Sequence, residues 1–136
     1  MASVLKVDEL KGNSTAGIIA VTGEGNSTTT NLQQGLAKAW NNMNGTGTVA
    51  IRDSLNIASV TDEGTGYYTH NFTNSMGSVE DFVAGGFARV SGNLGFIVGY
   101  VNTPFTASGF EHATAGSSFS AADPLFLTIS IHGDLA

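Results

Sequence analysis

The last strand-like segment constrains this chain most. Leu125, Leu127, Ile129 and Ile131 alternate with Phe126, Thr128, Ser130 and His132. A period of two places all four branched aliphatics on one face of a β-strand and cannot serve a helix. Similar alternation begins near residue 46. Val49, Ile51 and Asp53 alternate with Thr48, Ala50 and Arg52, then Leu55, Ile57 and Ser59 with Asn56, Ala58 and Val60. After a turn over 61–66, Tyr67, Thr69 and Asn71 oppose Tyr68, His70 and Phe72. Further strands are predicted over 82–90 and 96–101, with a short one near Phe119.

Composition supports the same class. Ser, Thr, Asn and Gly supply 57 of 136 residues, whereas Asp, Glu, Lys and Arg make up 12%. Thr suits strands, Asn and Gly suit tight turns, and Gly, Asn and Thr are poor helix formers. Eight Phe and three Tyr argue against disorder. Gly-rich turns between closely spaced strands predict an all-β fold, an antiparallel β-sandwich of jelly-roll-like type. Its expected core includes Val49, Ile51, Tyr67 or Tyr68, Phe72, Phe96, Val98, Leu127 and Ile129, within a compact region over 45–136.

Two segments depart from this pattern. Residues 1–30 read as an extended N-terminal assembly arm, leaving 31–136 as the sandwich domain. The arm's apolar patches, 4–7 and 18–21, are too small to bury themselves, so the arm is expected to dock on partner chains. In 31–43, Leu32, Leu36, Trp40 and Met43 follow helical spacing, with Asn31 as cap and Gln34 completing a capping box. Gly35 and Asn41-Asn42 weigh against that helix, and Trp40 equally begins a strand.

The residues offer little for catalysis. Gly23-Glu24-Gly25, Gly45-Thr46-Gly47 and Gly64-Thr65-Gly66 lack the Lys and Ser/Thr of a phosphate loop and the setting of a dinucleotide fingerprint, and read as turns. His70, His112 and His132 stand 42 and 20 residues apart without a zinc signature. Asp62-Glu63 and Glu80-Asp81 are adjacent pairs, which a strand points to opposite faces. Asp62 in a turn is expected to accept backbone hydrogen bonds. No catalytic, cofactor-binding or metal-binding residue is assigned, and no cofactor is expected.

Eleven acids face five bases, giving a formal charge of −6, and Arg89 is the one base after Arg52. Nucleic-acid binding needs several Lys or Arg contacts to phosphates, so no such partner is expected. No apolar run approaches a spanning length, so membrane insertion is not expected either. An exposed Tyr or Trp is a platform on which a sugar can stack.

Several stretches carry a resemblance: 3–7, 29–40, Asn44-Gly45-Thr46-Gly47-Thr48-Val49-Ala50-Ile51-Arg52-Asp53-Ser54-Leu55-Asn56-Ile57, 60–76 with Thr61-Asp62-Glu63-Gly64-Thr65-Gly66-Tyr67-Tyr68 at its centre, and 132–136. Together they resemble small tail-fibre-like proteins encoded by marine and freshwater bacteriophages and by prophages. The chain departs from that pattern at Asn41-Asn42-Met43 and over 78–120. The resemblance implies a non-enzymatic virion protein, assembled in the host cytoplasm. It implies a tail-fibre or tail-associated component, or a decoration protein on the capsid. Expected partners are other copies of the chain, foremost as a homotrimer, other phage virion proteins, and, in a further alternative, a host-surface glycan.

Overall fold

A computed structural model describes residues 5–11, 19–22, 29–90, 93–99 and 105–136. The chain divides into two compact units, Met1–Leu36 and Ala37–Ala136. In the first, β1 (Ala20–Thr22) pairs antiparallel with β2 (Thr29–Asn31), followed by one helical turn, α1 (Leu32–Gly35). The Asn31 carboxamide oxygen accepts the Gln33 N–H at 2.8 Å and caps that turn. Residues 5–11 carry no strand pairing.

The predicted helix over 31–43 ends after four residues, because β3 (Ala37–Asn44) is a strand. Ala39, Asn41 and Met43 point inward at period two, while Trp40 and Asn42 point outward. Sheet pairing on both sides of β3 outweighs the helical spacing of Leu36, Trp40 and Met43, and Gly35 offers that helix nothing. The side chain of Gln34 lies outside the described residues.

The second unit continues with β4 (Ala50–Leu55), β5 (Ile57–Gly64), β6 (Tyr67–Phe72), β7 (Phe82–Val90), β8 (Asn93–Gly99), β9 (Gly109–Ala115) and β10 (Pro124–Gly133). With β3 they form one antiparallel order, β4-β3-β10-β7-β8-β9-β6-β5. Strand β8 pairs with β7 through Asn93–Gly95 and with β9 through Phe96–Gly99. The sheet thereby folds into two layers, and the chain is an all-β antiparallel sandwich. Strands β7 to β10 lie in the order β10-β7-β8-β9, a Greek key.

One layer contributes Ala39, Met43, Leu127, Ile129 and Ile131 to the core, and the other Tyr68, Phe72 and Phe110. The predicted alternation of β6 is present as written, and that of β10 holds from Phe126 to His132; at the strand's start a bulge between Pro124 and Phe126 buries Pro124 and leaves Leu125 half-buried. Phe72, Phe82, Phe105 and Phe110 pack ring against ring at one end, with centroids 5.5–5.9 Å apart along the chain of contacts. Such pairs add about 0.5–1.5 kcal/mol each beyond buried area.

Other expectations need correction. Ile51 is not a core residue: it is 39% exposed, because β4 is an edge strand with a neighbour on one side only. The side chains of Phe96 and Val98 lie outside the described residues. Phe119 sits in a turn at φ 58 and is exposed, so no strand forms there. The missed strand is β9, and the run 55–60 breaks at Asn56, which adopts φ 56. Asn tolerates that left-handed conformation, and its side chain pairs with the Asn74 backbone, accepting at 2.7 Å and donating at 3.0 Å.

The opposite end is fastened by Asp123. Its Oδ1 accepts the Gly66 N–H at 2.7 Å and the Tyr68 hydroxyl at 2.9 Å. Gly66 sits at φ +78 in the β5–β6 turn, and Gly45 donates to the Pro124 carbonyl at 2.8 Å beside it. One carboxylate thus ties the β5–β6 turn to the start of β10. Replacing it strands the Gly66 N–H and leaves the Tyr68 hydroxyl only its longer bond to the Gly45 carbonyl at 3.2 Å, so Asp123→Ala should lower unfolding free energy by about 1–3 kcal/mol. Urea denaturation checks this; a variant as stable as the parent would show that the fastening contributes nothing.

Candidate functional sites: a buried histidine pair and an aromatic groove

The inward faces of β6 and β9 carry more than apolar groups. Register places Tyr68 opposite His112 and His70 opposite Phe110. The two imidazoles lie 4.9 Å apart between centroids, and His70 stacks on Phe110 at 5.3 Å. From the facing layer, the Asn41 amide nitrogen reaches His70 Nε2 at 3.0 Å. This contact is the hydrogen bond that joins the two layers at the histidine pair. His70 is 0% and His112 2% exposed.

This cluster is under-satisfied. Asn41 Oδ1, His70 Nδ1 and both His112 ring nitrogens have no hydrogen-bond partner. A cavity of about 60 Å³ adjoins His112, with Phe105, Phe110, Ile97 and Ile129 among its walls. Burial pushes His70 down to about 3, with the neighbouring His112 adding to it, and burial pushes His112 down to about 4. Burial also raises the Tyr68 phenol, helped by its hydrogen bond to Asp123.

Two histidines held neutral make the fold sensitive to acid. Both have folded values below the ordinary 6.5, so the unfolded chain takes up protons that the folded chain refuses. Stability is full above pH 6.5 and declines as pH falls toward 4 and then 3. The loss approaches about 1.4 kcal/mol per pH unit for each histidine. A fall of about two units is therefore comparable to the whole margin of a small domain. His112→Phe removes one titrating ring where no hydrogen bond is lost. It should flatten the dependence of unfolding free energy on pH between 4 and 6.5, measured by urea denaturation across that range. An unchanged slope would remove His112 as a cause.

The remaining sequence candidates lie apart from this pair. His132 is on the outward face of β10, where Nε2 lies 3.1 Å from the Ser130 hydroxyl. Asp62 accepts the Gly64 N–H at 3.0 Å, as a turn carboxylate does. Gly45–Gly47 and Gly64–Gly66 lie in the β3–β4 and β5–β6 connections, while 23–25 lie outside the described residues. Among the described residues, no group of three His, Cys, Asp or Glu is placed to hold a metal ion. Arg52 donates to the carbonyls of Met43 at 2.9 Å and Leu125 at 2.8 Å, and its guanidinium lies 4.2 Å from the Phe126 ring centroid. Arg89 lies over the same ring at 6.0 Å.

A second feature occupies the outer face of β3, β10 and β7. Two cross-strand rows run there, Trp40–Ser130–Gly85 and Asn42–Thr128–Phe87. They line an open groove of about 410 Å³. Phe87 is 83% exposed and Trp40 half-buried. Gly85 leaves open space where a Cβ would stand, whereas a Cβ on Gly86 would fall into the Thr128 carbonyl of β10. Sequence reading raised an exposed Trp as a platform in general but did not find this groove. Its two aromatics stand 47 residues apart in the sequence, and the spacing around Trp40 fits a helix face as well as the start of a strand.

No family model, curated protein or solved structure matches the chain. Fold and geometry define an antiparallel β-sandwich with a buried Asn41–His70–His112 cluster in its core and an aromatic groove on one face.

Proposed function

We propose that the chain is a non-enzymatic structural protein of a bacteriophage particle, a tail-fibre or tail-associated component that works as a symmetric homo-oligomer, foremost a trimer. One observation carries the assembly part. Leu5 is 78% and Val7 56% exposed, and Leu10 and Val21 are exposed as well. Apolar side chains left exposed among the described residues of a leading segment suit burial against another subunit. Two further features support this reading. Edge strands β4 and β5 each pair on one side only, and such edges are commonly covered by partners. With charged residues at 12%, subunits can meet while desolvating few ions.

The phage assignment and the preference for three copies rest on the resemblance to tail-fibre-like proteins. A decoration protein on the capsid uses the same assembly logic. Light scattering on the purified chain should give a mass near three times 14.0 kDa. Deleting residues 2–25 should shift the mass toward one copy while far-UV circular dichroism keeps its β signature. A full-length chain that stays monomeric, or a deletion that leaves the oligomer intact, would defeat the reading.

A further inference from the structure

We infer that the groove between Trp40 and Phe87 is a binding site for a neutral saccharide. Strands β3 and β7 flank β10, so two strand spacings, about 10 Å, separate the backbones that carry the two aromatics. Trp40 stands at one end of its cross-strand row and Phe87 at the opposite end of the next. The volume of about 410 Å³ between them falls among small-molecule sites.

The chemistry of the lining selects the ligand class. A sugar ring presents flat C–H faces and a rim of hydroxyls. The faces suit an aromatic wall, whose π-surface is negative and whose body is apolar. The rim needs groups that both donate and accept. Asn42, Thr128 and Ser130 supply an amide and two hydroxyls between the aromatics; Ser130 pairs with His132 and Asn42 Oδ1 with Arg52, and each keeps further donor or acceptor capacity. Among the described residues no charged side chain lines the groove, which matches an uncharged ligand; Arg52, which reaches Asn42 Oδ1 at 3.4 Å, is engaged with the Met43 and Leu125 carbonyls. An extended peptide is a poorer match, because strand addition uses a sheet edge and this groove lies on a face.

Gly85 gives the site its depth. A side chain there would enter open space and not a neighbour, and Gly85 has no left-handed φ, so the strand accepts a β-branched residue. Gly86 keeps its neighbour fixed, because no larger residue fits against the β10 backbone. Gly85→Val therefore fills the groove while favouring the strand. Binding in so open a groove, with one ring enclosed, belongs in the millimolar range.

The chain contains a single tryptophan, so its emission reports on the groove directly. Purified full-length protein is titrated with maltose, cellobiose, lactose and diacetylchitobiose, with sorbitol as control, following Trp40 fluorescence. At least one disaccharide should give a saturable change that sorbitol does not. Gly85→Val should weaken it by about tenfold or more without lowering the melting temperature. Trp40→Phe, followed by calorimetry, should keep weakened binding because it retains a ring. No saturable change with any of the four sugars overturns the inference, as does a response that Gly85→Val leaves intact. A Trp40 emission that varies with protein concentration and ignores sugar would mark the groove as a contact between copies, and also overturns it. The inference is independent of assembly through the arm: deleting 2–25 leaves all groove residues in place, so either reading can fail alone.

Discussion

Burial of the Leu127–Ile129–Ile131 stripe is the constraint that organises the sandwich. Strand β10 has β3 on one side and β7 on the other, so its aliphatic face lies at the centre of its layer. Each residue in the stripe sets the partner facing it in register: Met43 with Leu127, Asn41 with Ile129, Ala39 with Ile131. A slip by one residue would turn Thr128 and Ser130 inward and expose three aliphatics, at roughly 1.5–3 kcal/mol for each. The facing layer answers with rings, Tyr68, His70, Phe72 and Phe110.

What was legible in the sequence follows from how each strand is covered. Strands β6 and β10 have one dry face and one wetter face, so alternation shows them plainly. Strand β9 is buried along its whole length, and its residues Glu111, His112 and Thr114 are polar. A strand covered on both faces has no reason to alternate, and polar residues inside it conceal even an apolar run. In β3 the inward sequence is Ala39, Asn41, Met43, and the asparagine interrupts the pattern. Without Asn41 read as an inward residue, Leu36, Trp40 and Met43 imitated a helix face. The two failures are connected. Asn41 and His112 are both inward because the core holds a polar cluster, and a method keyed to hydrophobicity reads such residues as surface. The candidate groove was hidden for a different reason: it exists only once β3, β10 and β7 are aligned.

The polar cluster is costly, and its form shows why it is tolerated. Neutral imidazoles avoid the charge penalty of burial, and the Asn41 amide satisfies one nitrogen of the pair across the two layers. Of the rings that keep unpaired atoms, His112 lines a small cavity, while His70 stacks on Phe110. Lowered proton affinity is the consequence of the same burial, so the core is secure at neutral pH and weakened by acid. A buried polar contact also discriminates between layer alignments more sharply than aliphatic packing does, since a misaligned Asn41 would lose its partner altogether.

Low charge has two effects that bear on how assembly and binding would fit together. It leaves Arg52 and Arg89 committed to backbone carbonyls and the Phe126 ring, so the surface is dominated by neutral groups. Neutral hydroxyls and amides around exposed aromatics make for weak, salt-insensitive contacts. A single shallow groove of this kind holds a ligand too briefly to be useful for attachment. Repetition changes that arithmetic. In an oligomer each groove recurs once per subunit, and a surface bearing many copies of one saccharide meets several of them together. Once one groove is occupied, the next encounter is intramolecular, and avidity can exceed the single-site affinity by about 10²–10⁴ without any new contact. Millimolar grooves are then adequate on a trimer and inadequate on a monomer. The weakness of the site and the proposed symmetry of the assembly therefore support each other physically, although each rests on separate residues.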